Sequence, residues 1–227
     1  MSIFTETMKD LCPGLEDGQL SAMADHHAFL VKNNKQFNLT AIIDERDAAF
    51  KHFYDSIFCE DLIPRGADVL DVGAGAGFPG IPLKIVRPDI RLTLLDAAAK
   101  KADFMQKAAQ AVGAEVRVVN ARAEEAAHKE MRGSFDACVS RAVAPLDMLL
   151  ELCLPYVRMG GIFLAYKGEY SEELSRAQNA LAQLGGAFER AVRGGGGCNH
   201  NVLLIKKTGE TPQKYPRRYA RILKNPL

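Results

Sequence analysis

One stretch constrains this chain more than any other: Val69-Leu70-Asp71-Val72-Gly73-Ala74-Gly75-Ala76-Gly77-Phe78-Pro79-Gly80-Ile81-Pro82. An apolar strand runs into an acid, then a glycine-dense turn, then a helix start. Glycine alone takes positive φ cheaply and lets a ligand touch the backbone. Strand, bare turn and helix form the first crossover of a nucleotide-type α/β domain.

Downstream, strands and helices alternate. Strands are expected over 68–72, 91–95, 115–119, 135–140 and 161–166, the last after a Gly160-Gly161 turn. Helices are expected over 81–86, 97–112, 147–156 and 172–184. A hairpin of 187–192 and 201–206 closes the pattern, joined by the loose run 194–197. Five crossovers and a hairpin predict an α/β, Rossmann-like fold. Its seven-stranded sheet should be mostly parallel, with one antiparallel strand near its edge. Upstream, Leu20, Met23, His27 and Leu30 form one helical stripe, which Asn33-Asn34 and Asn38 are expected to break. Asp44 is placed to cap a second helix carrying Ala49, Phe53, Ile57 and Phe58. The expected organisation is therefore an N-terminal helical extension packed on the core (1–65), a main domain (66–207) and a basic tail (208–227).

Composition removes several classes. Half the residues are apolar and a quarter charged, as in soluble globular proteins. No apolar run approaches the roughly 20 residues that span a bilayer. Residues 1–6 lack the basic start and apolar run of a signal peptide. The five cysteines show no Cys-x-x-Cys spacing, so neither a disulfide framework nor a zinc knuckle is indicated. A reducing cytoplasm is the expected compartment. No metal spacing links His26, His27, His52, His128 and His200, and His26-His27 reads as surface or partial core. Net charge is only +1, yet from Lys206 onward seven cations face Glu210 alone. Such an end is either a solvated, frayed terminus or a seat for a polyanion.

The glycine turn admits two ligands. Gly75-x-Gly77-x-x-Gly80 with Asp96 about twenty residues on fits a dinucleotide. Gly73-x-Gly75-x-Gly77 directly after Asp71 fits S-adenosylmethionine. The second is favoured, because an anion at Asp71 suits the cofactor's amino group and sulfonium and would repel a pyrophosphate. Asp96 suits a ribose in either case, and the antiparallel excursion of the sheet is typical of methyltransferases. After strand three, Asn120–Glu125 is placed to hold the adenine, although acids in a first helical turn are common for other reasons. After strand four comes Ser140-Arg141-Ala142, where Arg141 is either a surface ion pair or a neighbour of the reacting methyl.

Missing devices narrow the acceptor. The strand-four slot lacks the Asn/Asp-Pro-Pro-aromatic signature of exocyclic-amine methyltransferases, and Cys138 reads as a small buried residue rather than a nucleophile. Guanine N7 has an in-plane lone pair and no proton to lose. An absent general base therefore favours a ring nitrogen.

At this point the residues resemble a known family. Asp71–Pro82, Leu94-Leu95-Asp96 with Lys100-Lys101 and Phe104, Ser140-Arg141-Ala142 and Tyr166-Lys167-Gly168 closely resemble the bacterial ribosomal RNA small subunit methyltransferase G family, also called GidB. Asn38-Leu39-Thr40, His52-Phe53-Tyr54-Asp55-Ser56, Lys214-Tyr215-Pro216-Arg217-Arg218 and Asn225-Pro226-Leu227 extend the likeness over almost the whole chain. The resemblance implies a cytoplasmic, single-domain class I methyltransferase, and nothing in the sequence demands more than a monomer. It would methylate N7 of one guanine in the 530 loop of 16S ribosomal RNA, in the small ribosomal subunit or an assembly intermediate. It implies cofactor contacts at Gly73 and Phe78, Asp96 on the ribose, Ala123 and Glu124 at the adenine, and Arg141 at the cofactor or target base; the glycine fingerprint itself adds Gly75, Gly77 and Asp71 to the expected cofactor site. Lys167, Lys214, Arg217, Arg218, Arg221 and Lys224, with Arg65 and Arg87 as weaker candidates, would follow RNA phosphates. No metal is implied. Other classes remain in view: an RNA-binding module on an inactive methyltransferase fold, a small-molecule methyltransferase and a dinucleotide oxidoreductase. His200 and Asn199 stand where the family often has an arginine before the last strand.

Overall fold

The computed structural model describes residues 2–37, 39–195 and 200–227, without the side chains of 35–37. Seven strands form one sheet: β1 (Asp68–Val72), β2 (Arg91–Asp96), β3 (Val116–Asn120), β4 (Phe135–Arg141), β5 (Val157–Lys167), β6 (Gly186–Arg193) and β7 (Asn201–Lys207). Their order is β3-β2-β1-β4-β5-β7-β6, and β7 runs antiparallel to both its neighbours. The order reverses direction between β1 and β4, which opens a crevice at the carboxyl ends of those strands. The expected single antiparallel strand near the edge is thus present.

Alternation along the strands sends side chains to two faces. Val69, Leu92, Leu94, Val139 and Leu164 enter one apolar cluster, while Leu70, Val72, Leu95, Cys138 and Phe163 enter the other. Phe4, Met8, Met23, Leu30 and Phe53 of the N-terminal helices belong to the first cluster. Tyr215 and Ile222 of the C-terminal tail belong to the second. Both ends of the chain are therefore part of the core. The tail is not frayed: Ile222 is fully buried, which contributes roughly 1.5–3 kcal/mol.

Several local expectations are corrected. The first long helix, Asp17–Phe37, runs through Asn33 and Asn34. Asn33 Nδ2 donates back to the Phe29 carbonyl one turn earlier, and Asn34 Oδ1 accepts from the amides of Leu39 and Thr40, tying the segment after the helix to its last turn. Asn38 lies outside the described residues, as do positions 196 and 197 of the loose run 194–197. The helix expected over 172–184 is two, Ser171–Arg176 and Gln178–Leu184. Gly160-Gly161 lies inside β5 at an irregularity in its pairing with β4, rather than before the strand. Asp44 does cap a helix, its side chain accepting the Asp47 amide. That helix changes from an α turn (Glu45–Ala48) to a π turn (Ala49–Tyr54) and back to an α turn (Asp55–Ile57). π turns inside α-helices occur mostly at functional sites.

Candidate active site

The carboxyl ends of β1, β2, β4 and β5 border a crevice with two adjoining cavities, of about 530 and 280 Å3, which share Gly73, Lys101 and Ala142. The glycine loop forms the wall between them. Gly73, Gly75 and Gly77 have φ of +72°, +59° and +87°, the left-handed region that side chains avoid. A Cβ on Gly73 would stand 2.5 Å from Val143 Cγ2. Gly77 lines neither cavity, and a Cβ there would collide with Ile81, so its absent side chain serves packing.

Asp71 is placed differently from its sequence reading. Its carboxyl has no exposure and lines neither cavity. Oδ2 accepts the Gly80 amide at 2.8 Å, tying the end of the loop to β1 from beneath. Oδ1 has no hydrogen-bond partner among the described residues. Burial raises its pKa to about 7, against the pull of the Gly80 amide. Asp96 does face the smaller cavity. Its Oδ2 accepts the Gly75 amide at 3.1 Å and its Oδ1 the Ala98 amide at 2.9 Å, with Lys101 at 4.0 Å. Ala123 and Glu124 line the same cavity, and Tyr156 holds the Ala123 carbonyl at 2.5 Å.

The larger cavity contains Thr40, His52, Asp55, Phe78, Arg141 and His200. Phe78 is sandwiched between two imidazoles. His26 stacks on one side with centroids 4.9 Å apart, and His52 at 4.8 Å. His26-His27 is therefore core rather than surface: both rings are buried, and His26 Nε2 meets the Ala76 carbonyl at 3.2 Å. Burial pushes His26 down to about 4. Burial and the neighbouring Arg141 push His52 down to about 3. The Arg141 guanidinium lies 5.2 Å from the Phe78 centroid and pairs with Asp55 at 3.0 Å. Ala142, directly after it, has φ +57°, a strained conformation of the kind that clusters at binding sites.

A family model for rRNA small subunit methyltransferase G (GidB) matches residues 19–202. The chain belongs to that family. A ribosomal RNA small subunit methyltransferase G from Pelotomaculum thermopropionicum is 41% identical over 239 positions, covering 100% of both chains. One from Caldanaerobacter subterraneus is 42% identical, covering 88% of this chain and 87% of its own. Among solved structures, an S-adenosylmethionine-dependent O-methyltransferase from Thermotoga maritima aligns with a TM-score of 0.55 at 14% identity, over 81% of this chain and 72% of its own. A methyltransferase from Pyrococcus furiosus also scores 0.55 at 15% identity, over 82% and 98%. These two bear out the methyltransferase type of Rossmann-like fold.

Within this family member the basic residues divide sharply. Lys167 is committed to Glu173 at 2.6 Å and to the Ala144 carbonyl. Arg87 is held by Glu60, Asp89 and the Ile63 carbonyl. Arg217 is locked onto the fully buried Glu151. These three hold the fold. Lys214, Arg218, Arg221 and Lys224 are exposed, as is Arg65. Lys214, Arg218 and Arg221 border a groove of about 980 Å3 with Arg122 and His128. Tyr219 stands between that groove and the smaller cavity, lining both. Sequence reasoning gave no role to Asp55, Tyr156 or His26. Only the His52–Ser56 motif marked Asp55, and its partners lie 86 and 145 residues away.

Proposed function

We propose that this protein methylates N7 of a guanine in the 530 loop of 16S ribosomal RNA, in the small ribosomal subunit or its precursor, with S-adenosylmethionine as methyl donor. The residues of the crevice fit that cofactor. Gly73 and Gly75 present backbone without a side chain to the crevice. Asp96 has carboxylate lone pairs for ribose hydroxyls, and the Ala123–Glu124 turn offers backbone and a carboxylate to an adenine amine. When bound, S-adenosylmethionine supplies an electrophilic methyl group on a sulfonium.

The observation that carries the choice of acceptor is the chemistry of the larger cavity. Asp55 is its one carboxylate among the described residues, and Arg141 and His200 hold it. His52 is neutral and too weakly basic to take a proton near pH 7. The imidazole beside Arg141 therefore offers no base to an acceptor that must lose a proton, whereas a ring nitrogen needs none. The protein's task is orientation and exclusion of water, which can supply on the order of 7–11 kcal/mol of a barrier. Arg141 cannot cap guanine with the common fork to O6 and N7, because N7 must stay open. It serves O6 or a neighbouring phosphate. Lys214, Arg218, Arg221 and Lys224 follow phosphates, and the target base leaves its stack to reach the crevice. No helix among the described residues is long and apolar enough to cross a membrane, and no cluster of three or more His, Cys, Asp or Glu side chains is placed to hold a metal ion.

The test is incubation of the purified protein with radiolabelled S-adenosylmethionine and small ribosomal subunits from cells lacking this activity, with the label mapped by nuclease digestion and mass spectrometry. Label at N7 of one 530-loop guanine supports the reading. Cofactor binding without label on the RNA overturns it and directs the search to small-molecule acceptors.

A further inference from the structure

We propose that Asp55 is a positioning residue for the methyl-transfer reaction, fixing how Arg141 presents its guanidinium in the crevice. The inference rests on the reading above. Asp55 lies on the N-terminal extension, Arg141 at the end of β4 and His200 on the return into β7. One carboxylate joins all three: Oδ2 meets Arg141 Nη1 at 3.0 Å and Oδ1 meets His200 Nδ1 at 2.7 Å. Its side chain is 2% exposed, whereas that of His200 is 43% exposed. A carboxylate this deep is stable only with charged or strong donors around it, and here Arg141 and His200, both lining the larger cavity, are among those donors.

The pairing decides which donors Arg141 has left. Nη1 is given to Asp55 and also approaches the carbonyls of Lys51 at 3.2 Å and His52 at 3.3 Å and the Ser56 hydroxyl at 3.4 Å. Nη2 has only the long approach to His52 Nδ1, at 3.5 Å, among the described residues. Nη2 is therefore the nitrogen that a ligand oxygen can engage. With Nη1 committed, the end-on fork from Nη1 and Nη2 to O6 and N7 of a guanine is closed. Of that end-on pair only Nη2 is left to a ligand oxygen, which suits an acceptor whose N7 must stay open. Phe78, with its centroid 5.2 Å from the guanidinium carbon, and the Asp55 carboxylate together restrict how the group sits.

The test compares Asp55→Asn, Arg141→Ala and the double variant on small ribosomal subunits, with turnover and KM measured separately. S-adenosylhomocysteine affinity and thermal unfolding are followed alongside. Wild-type protein that fails to methylate subunits defeats the functional reading and not this pairing. With wild type active, Asp55→Asn should lower turnover about tenfold or more, leave KM and S-adenosylhomocysteine affinity within about twofold, and cause no further loss when Arg141 is already alanine. Losses that multiply in the double variant, or a loss confined to KM, overturn the proposal. Should Asp55→Asn fail to fold, the His200 variants decide. His200→Ala should lower turnover, and His200→Asn, which keeps a donor near the Nδ1 position, should restore it. Equal turnover in those two overturns the proposal.

Discussion

Arg217 brings its guanidinium to 2.6 Å from the carboxylate of Glu151, a residue with no exposed surface, and adds its own backbone amide at 2.7 Å. The contact fastens the C-terminal tail to the helix Leu146–Cys153. Removing one member of a buried pair leaves the other uncompensated. Arg217→Ala should therefore destabilise the protein by about 3–5 kcal/mol in urea unfolding. Arg218→Ala, one residue on and exposed, should leave stability unchanged and flatten the salt dependence of RNA binding. Equal stability losses in the two variants would contradict the division between structural and free cations.

Gly73 and Gly113 share nearly the same φ, +72° and +66°, but differ in surroundings. A Cβ at Gly113 meets nothing within 4 Å, whereas one at Gly73 meets Val143 on the cavity wall. Each alanine should cost roughly 1–2 kcal/mol for the left-handed backbone. Only Gly73→Ala should also weaken S-adenosylhomocysteine binding in calorimetry. Unchanged affinity for that variant would remove the loop from the site.

Burial holds His26 and His52 at about 4 and about 3, against an ordinary 6.5. In the unfolded chain both protonate as pH falls below about 6.5. The unfolded state then binds more protons, so the stability present above pH 6.5 is lost as pH falls toward 4, at up to about 1.4 kcal/mol per pH unit for each ring. Asp71 acts the other way. Its folded value of about 7 lies above its ordinary 3.8, so its contribution is full below about pH 4 and is lost as pH rises through 7. Asp71→Asn should consequently steepen the acid limb of a stability–pH curve. NMR titration should show no inflection for His26 or His52 between pH 5 and 8.

Tyr156 is fully buried, and its hydroxyl donates to the Ala123 carbonyl in the wall of the smaller cavity. Tyr156→Phe leaves that carbonyl without this donor, at a cost of about 1–3 kcal/mol. S-adenosylhomocysteine affinity should fall several-fold as the Ala123–Glu124 turn loosens. Loss of stability with affinity intact would show that this turn does not hold the adenine.

The sheet was legible because its signals are local. Apolar runs bounded by glycine and proline place all seven strands within a few residues, and the glycine loop marks the crevice. The features that escaped depend on partners distant in the chain. Nothing near Glu151 announces Arg217, and Lys167 reads as a free cation until Glu173 folds against it. His27 lies on the stripe of Leu20, Met23 and Leu30, but burial of His26 follows from Phe53 and Phe78 closing around it, which no stripe on its own helix reveals. The π turn at Ala49–Tyr54 has no composition of its own. Asp71 was legible as important but not as hidden, since sequence spacing does not say which side of a loop an acid supports.

Phe4, Met8, Met23, Leu30 and Phe53 share one continuous apolar cluster with strand residues Val69, Leu94 and Leu164. A fragment beginning at the first strand would open that cluster to water and would carry Arg141 without its counter-charge. The nucleotide-type fold is widely reused as a detachable module, but in this chain the helices before the first strand supply part of its core and the partner of Arg141. An insertion, a fusion or a fluorescent tag belongs at a loop on the far edge of the sheet, and any truncation series from the N-terminus should lose soluble protein at its first long step.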